Sequence, residues 1–262
     1  MKVVLSFLLI LLVALSSIAW GPKAHTEIGT RVLEDCSQEI KDNSKLFLLG
    51  NILPDMALSL KYYKGYTDGV WLERQYLLHS DEFLGTLTEL CNTARERAFV
   101  AGWQAHLIAD GVETEYSQRK MEEGAPVTAD FPVDTFVSAT QKVIIGDSIR
   151  DLIQEALGAE WQISVTEWDD IEAAFNTYFS PLGQWYLSEK YSDIADEWYS
   201  DYEEELRKSV RAISGEMFDP MVYDVDGSGV IEKDEALAAV ADYFAGIITK
   251  AQVVEVLVLY FS

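Results

Sequence analysis

Histidine is almost missing from this 262-residue chain: there are three, His25, His79 and His106, and none follows position 106. Cysteine is scarcer, with only Cys36 and Cys91. Two cysteines cannot make a thiolate metal site or a disulfide-built scaffold. Outside a cell they either form one bridge or stay as buried free thiols. Positive charge is also short, with 20 Lys and Arg against 44 Asp and Glu and a formal net charge of −24. Such a charge repels nucleic acid and anionic lipid at long range, unless bound cations reverse the local field. An ordinary surplus of surface carboxylates is the plainer meaning of most of these acids. Alternating apolar–polar stretches are few, the short one near Trp161–Val165 being the exception, so an extensive sheet is not expected. Beyond the N-terminus no apolar run is long enough to span a bilayer: Val253–Phe261 makes about two turns, where a span needs about 20 residues.

The chain does have apolar material, 49% of its residues, including 7 Trp, 13 Tyr and 11 Phe. That suffices for one sizeable core and a small appendage. Residues 1–19 read as a signal peptide, with Lys2 as the positive start, Val3–Leu15 as the apolar stretch, and Ser17 and Ala19 as the small residues before a cleavage site. An uncleaved anchor is the alternative, disfavoured by the shortness of the run. The mature chain is then expected to begin at Trp20, outside the cytoplasm, secreted or attached to a cell surface. Helical spacing follows: Ile28, Val32, Leu33 and Ile40 share a face, and Leu46–Leu49 is a short apolar run ended by Gly50-Asn51. Residues 83–110 predict one or two helices ending at Gly111, residues 112–132 a loop, Thr135–Leu157 a helix, and residues 169–213 very acidic helix. The expected class is all-α, with a helical domain over 20–215 and a separate unit over 216–262.

Each histidine sits where a metal would suit it. A free amine on Trp20 and its carbonyl can chelate a cation, and His25 is close enough to fold back onto it. His106 and Asp110 are spaced i, i+4, which puts imidazole and carboxylate on one helical face. Asp55 follows a proline in Gly50-Asn51-Ile52-Leu53-Pro54-Asp55, and His79 stands in Leu78-His79-Ser80-Asp81. Singly, each has a bland meaning: a core histidine, a chance helical pair, a Pro-Asp turn or cap. The combination is far rarer.

On those motifs the sequence resembles the zinc-dependent phospholipase C family, whose wider group includes secreted single-strand-specific nucleases. These are all-helical phosphodiesterases with a trinuclear zinc site, marked by a mature N-terminal Trp, a nearby His, a Gly…Pro-Asp element, a separate His and His-x-x-x-Asp. The resemblance implies that Asp55, His79, His106 and Asp110 hold one zinc, and Trp20 and His25 a second. Asp110 would bridge them. Paired ions of this kind activate water and clamp the phosphoryl oxygens during in-line attack. Asp110 would set their spacing and Asp55 would orient the attacking water. The family's third zinc needs two further histidines, which are absent here. Tyr116, Asp130 and Asp134 fall near those positions, with Glu113 or Glu115 at hand, but Pro132 argues against one continuous helical turn. The expectation is therefore two or three zinc ions. Trp103 and Tyr116 either line a substrate cleft or pack between helices.

A different signal lies near the C-terminus. In Asp224-Val-Asp226-Gly-Ser228-Gly229-Val230-Ile231-Glu232-Lys-Asp234-Glu235, oxygen donors occupy loop positions 1, 3 and 5, a glycine position 6, a carbonyl (Val230) position 7 and a carboxylate (Glu235) position 12. This is an EF-hand pattern that predicts one calcium ion on Asp224, Asp226, Ser228, Val230 and Glu235. The alternative is an acidic loop that binds nothing. Helices are expected over Ala236–Tyr243 and Ala251–Phe261, the second half having no ligand loop. The unit is similar to dockerin tails, which would imply a cohesin-like or cell-surface partner. A calcium-stapled structural tail fits as well. Two functions follow from these observations. One is a secreted metal-dependent phosphodiesterase acting on phospholipid headgroups or nucleic acid. The other is a non-catalytic, metal-stabilised surface protein tethered by its calcium unit.

Overall fold

The computed structural model describes residues 20–65, 69–122, 132–135, 137–191, 202–218, 220–245, 248 and 250–262. The signal-peptide segment and Asp130 lie outside them. All regular structure among the described residues is helical: α1 Pro22–Val32, α2 Gln38–Asp42, α3 Ser44–Gly50, α4 Met56–Lys64, α5 Gly69–Leu78, α6 Asp81–Leu90, α7 Ala94–Glu122, α8 Asp147–Leu157, α9 Val165–Tyr178, α10 Pro181–Tyr191, α11 Tyr202–Glu216, α12 Lys233–Phe244 and α13 Lys250–Phe261. Short 3₁₀ turns occur at Leu53–Asp55, Pro132–Thr135 and Pro220–Tyr223. None of the described helices is long and apolar enough to cross a membrane.

Helix α7 is the spine. Phe99 and Trp103 point into one apolar cluster with Leu49, Ile52, Leu53, Met56, Phe83 and Phe175. Ala105, Ala109 and Tyr116 point into another with Trp20, Ile28, Phe47 and Ile213. A helix with apolar residues on two faces runs between cores rather than over one. Its closest neighbour is α3, and the two backbones meet at Gly50 and Gly102. A methyl group on Gly50 would collide with the Phe99 carbonyl, and one on Gly102 with the Phe47 carbonyl. A third, smaller cluster is built on Ile231, Ala236, Ala239, Val253 and Val256 from α12, α13 and the turn before them.

Several expected boundaries move. Gly111 does not end a helix: α7 runs through it for 29 residues, so residues 112–122 are helix rather than loop. The stretch read as helix from Thr135 begins only at Asp147. Before that, Val143 and Ile145 are buried in extended chain while Ile144 is 61% exposed. Their backbone groups pair with side chains of α9: Val143 N–H donates to Asn176 Oδ1 at 3.0 Å, Asn176 Nδ2 donates to the Val143 carbonyl at 2.9 Å, and Ile145 N–H donates to Glu172 Oε1 at 2.9 Å. The alternating stretch near Trp161 forms no strand. Gln154 holds Ile163 instead, accepting from its N–H at 2.9 Å, and Ser164 caps α9 in a capping box with Glu167.

Both cysteines are free thiols, Cys36 buried and Cys91 half-exposed, and they pack against different clusters. Burial pushes the Cys36 thiol up to about 11, and the neighbouring Asp35 charge adds to this. A thiol reagent applied to the native protein at pH 8 is therefore expected to label Cys91 alone, and both after unfolding. Mass spectrometry of the adducts checks this. No labelling in either state would mean a disulfide.

Candidate metal centre

Five of the expected ligands come from four separate places in the chain and converge. His25 rides on α1, Asp55 on the 3₁₀ turn before α4, His79 just past the end of α5, and His106 and Asp110 on successive turns of α7. His79 Nε2 and His106 Nε2 face each other at 3.1 Å. Asp110 Oδ2 lies 3.2 Å from His106 Nε2 and 3.5 Å from His79 Nε2. Asp55 Oδ1 lies 3.6 Å from His79 Nε2 and 4.0 Å from His106 Nε2. The other Asp110 oxygen, Oδ1, is 3.1 Å from His25 Nε2. Zinc–ligand bonds of about 2.0–2.1 Å put tetrahedral ligands roughly 3.3 Å apart. The four groups around His106 are thus spaced like the corners of one coordination sphere. Asp110 turns its second oxygen toward a neighbouring position at His25.

The tautomers point the same way. His106 Nδ1 lies 3.1 Å from the Asn51 carbonyl and His79 Nδ1 2.9 Å from the Gln75 carbonyl. A carbonyl only accepts, so both Nδ1 atoms carry a proton and both Nε2 atoms are turned toward the cluster. With both rings neutral, two lone pairs face each other at 3.1 Å, an arrangement that a cation between them would relieve. Asp55 adds to this. It sits at the N-cap of α4 without capping it, is 1% exposed, and its Oδ2 has no hydrogen-bond partner. His25 is fully buried; its Nδ1 has no hydrogen-bond partner, and its Nε2 faces Asp110 Oδ1 at 3.1 Å. Buried polar atoms left this way cost free energy, about 1–3 kcal/mol each and more for charged groups. Clustered together they fit a group of ligands whose ions satisfy them. Burial pushes the Asp110 carboxyl up, but the charge and hydrogen bonds of His106 and His25 outweigh it and hold the group well below the usual carboxylate range.

Residues 24–113 match the family model described as zinc dependent phospholipase C. That span contains all five converging residues and stops short of the C-terminal unit. No curated protein and no solved structure matches the chain. Chemistry of the zinc dependent phospholipase C type is consistent with the donor set, three imidazoles and two carboxylates, which suits zinc.

Two of the positions considered for a third zinc, Asp134 and Tyr116, are otherwise engaged. Asp134 is fully buried and is not turned to the other ligands. Its two oxygens accept from Lys23 N–H and Ala24 N–H, each at 2.8 Å, and Oδ2 also accepts from Tyr178 at 2.5 Å. It caps α1 from a distance, since Gly21 at the N-cap has no side chain to do so. Burial pushes its carboxyl up to about 6 against those hydrogen bonds and the Lys23 charge. Tyr116 is fully buried, its ring stacked on Trp20 at 5.7 Å between centroids. Trp103 is fully buried too, donating to the Leu78 carbonyl at 2.9 Å. Both aromatics pack between helices and line no cleft. Trp20 is 1% exposed, and its indole N–H donates to Ser209 at 3.1 Å.

In the C-terminal unit Asp224, Asp226 and Glu235 each bring an oxygen within 4.8 Å of the others. Those carboxylates already accept backbone N–H bonds inside the loop: Ser228 and Gly229 donate to Asp224 at 2.9 and 2.8 Å, and Val225 donates to Glu235 at 2.6 Å. Gly227 and Gly229 take left-handed backbone, φ 72° and 80°.

Sequence reading missed two residues beside the five converging side chains. Gln75, one turn before His79, puts its amide nitrogen 3.4 Å from Asp55 Oδ1 and 3.3 Å from His79 Nε2. Its i, i+4 relation to His79 was the available signal. Asn51 touches both His106 and His25, and nothing local in the sequence marks it.

Proposed function

We propose that this protein is a zinc-dependent phosphodiester hydrolase of the phospholipase C kind that works with two zinc ions. The observation that carries the reading is the convergence of His25, Asp55, His79, His106 and Asp110, with His25 Nδ1 and Asp55 Oδ2 buried without hydrogen-bond partners and two imidazole Nε2 atoms opposed at 3.1 Å. In this reading Asp55, His79, His106 and Asp110 hold one zinc. His25 holds the other with Asp110 and, once the chain is cut after Ala19, the amine and carbonyl of Trp20. Zinc there supplies a Lewis acid for phosphoryl oxygens and lowers the pKa of water to near neutrality. The chain's own groups do the rest. Asp110 spaces the two positions. Asp55 Oδ2, free of hydrogen bonds, orients the attacking water and accepts its proton. Gln75 stands beside both Asp55 and His79 and can donate from its amide. The net charge of −24 favours a phospholipid headgroup over the polyanionic backbone of nucleic acid.

Secretion and a calcium ion on Asp224, Asp226, Ser228, Val230 and Glu235 belong to the same proposal. So does attachment through the C-terminal unit to a cohesin-like or cell-surface partner. A second reading, a metal-stabilised but non-catalytic surface protein, draws support from Asp134: with that carboxylate capping α1, the third zinc of the family would lack a candidate ligand here. Elemental analysis of the mature protein beside hydrolysis of a phosphodiester substrate separates the two. Two zinc equivalents with turnover are expected. Zinc without turnover would favour the second reading, and no zinc at all would defeat both.

A further inference from the structure

The three histidines are not held alike. His79 and His106 are each steered by an Nδ1–H bond to a carbonyl. His25 has no such bond at either nitrogen. Its ring is oriented by stacking on His106, at 3.9 Å between centroids, by Asp110 Oδ1 at 3.1 Å from Nε2, and by wherever its backbone is held. Asp134 pins the N–H groups of Lys23 and Ala24 before it, and Asn51 holds the His25 carbonyl itself. The Asn51 amide Nδ2 donates to the His25 carbonyl at 2.5 Å, while the Asn51 main-chain carbonyl accepts from His106 Nδ1 at 3.1 Å. Because a carbonyl accepts only, the amide must present its NH₂ group to His25. Asn51 is fully buried at the end of α3, and its remaining oxygen, Oδ1, has no partner. Room for the side chain comes from Gly29, one turn beyond His25 on α1. A Cβ there would lie 2.6 Å from Asn51 Nδ2.

From this geometry we infer that the Asn51 side chain is a positioning residue that sets where His25 stands, and so governs loading of the second metal position without governing the first. The two roles of Asn51 are separable. The bond to His106 uses the main chain and survives any substitution that leaves the backbone in place. The bond to His25 uses the amide and does not. The inference rests on the two-zinc reading above.

Zinc titration of the mature full chain, followed by calorimetry, tests it with Asn51→Ala and Asn51→Asp. The aspartate keeps the volume but cannot donate to the His25 carbonyl. Wild type is expected to bind two zinc ions. Both variants are expected to keep the tighter ion at wild-type affinity and to bind the second about 10–100-fold more weakly, the usual cost of losing a group that orients a metal ligand. Gly29→Ala, which pushes on the amide from the other side, is expected to do the same. Metal-free circular dichroism of each variant checks that the helices are intact. Equal second-site affinity in the variants overturns the inference, as does loss of both ions together or loss of the fold. Fewer than two ions on the wild type would overturn the two-zinc reading itself, and this inference with it.

Discussion

His106→Ala is expected to remove zinc and hydrolysis together while leaving the helices in place. His106 Nε2 is fully buried and lies within reach of the other three donors, 3.1 Å from His79 Nε2, 3.2 Å from Asp110 and 4.0 Å from Asp55. Without it three of four donors remain around the first position. Asp110 also loses the imidazole that does most to keep it ionised. The Lewis-acid contribution of such an ion is several kcal/mol, and each 1.36 kcal/mol is tenfold, so turnover should fall by about 10³-fold or more. The cost to folding is smaller, about 1–3 kcal/mol for the cavity and the orphaned Asn51 carbonyl. Metal content, turnover and melting temperature measured on one preparation separate these effects. A variant that loses zinc but keeps its turnover would place the chemistry elsewhere.

Gly102→Ala should be among the most damaging methyl groups that can be added to this chain. In an exposed helix the change would stabilise by about 1 kcal/mol, because alanine is the better helix former. Here the new carbon meets the Phe47 carbonyl and crowds the Asn51 N–H at 3.0 Å, and neither is a side-chain tip that can swing away. Helices α3 and α7 must move apart, at a cost of about 1–3 kcal/mol for overpacking and more where backbone is the obstacle. The net effect is destabilising, on the order of 2 kcal/mol, which for a chain of this size lowers the melting temperature by roughly 4–8 °C. Gly111→Ala on the same helix is the control. Nothing lies near a Cβ at that position, so it should be neutral or mildly stabilising. A stabilised Gly102→Ala would show that the crossing is looser than described.

How much of this was legible in advance depended on whether the information was local. His106-x-x-x-Asp110 carries its geometry in its spacing once the stretch is helical, so that part of the site could be drawn from the sequence. The extent of α7 could not. Gly111 and the residues after it look like a stop, yet one exposed glycine costs only about 1 kcal/mol, and the burial of Glu113, Tyr116 and Lys120 beyond it carries the helix on. The extended chain at Val143–Ile145 was read as helix because the partners of its backbone, Asn176 and Glu172, are some 30 residues away. Asp134 was weighed as a metal ligand on the strength of its position, when its task is to cap a helix 110 residues earlier. Asn51 looked like punctuation at a helix end. Only the crossing at Gly50 and Gly102 shows what its two hydrogen bonds reach.

The five converging side chains stand at 25, 55, 79, 106 and 110, whereas the carboxylate that pins α1 stands at 134. An ion bound among them closes loops of a few tens of residues. In a flexible chain the entropy of closing a loop grows only with the logarithm of its length, so each closure costs little more than a short turn. Zinc bound there would therefore act as a cross-link that organises residues 25–110 as a unit, ahead of the chain that follows. Chelation should loosen that unit first, and amide hydrogen exchange would register it as faster exchange in α1, α3 and the middle of α7 before α8 or α9 respond.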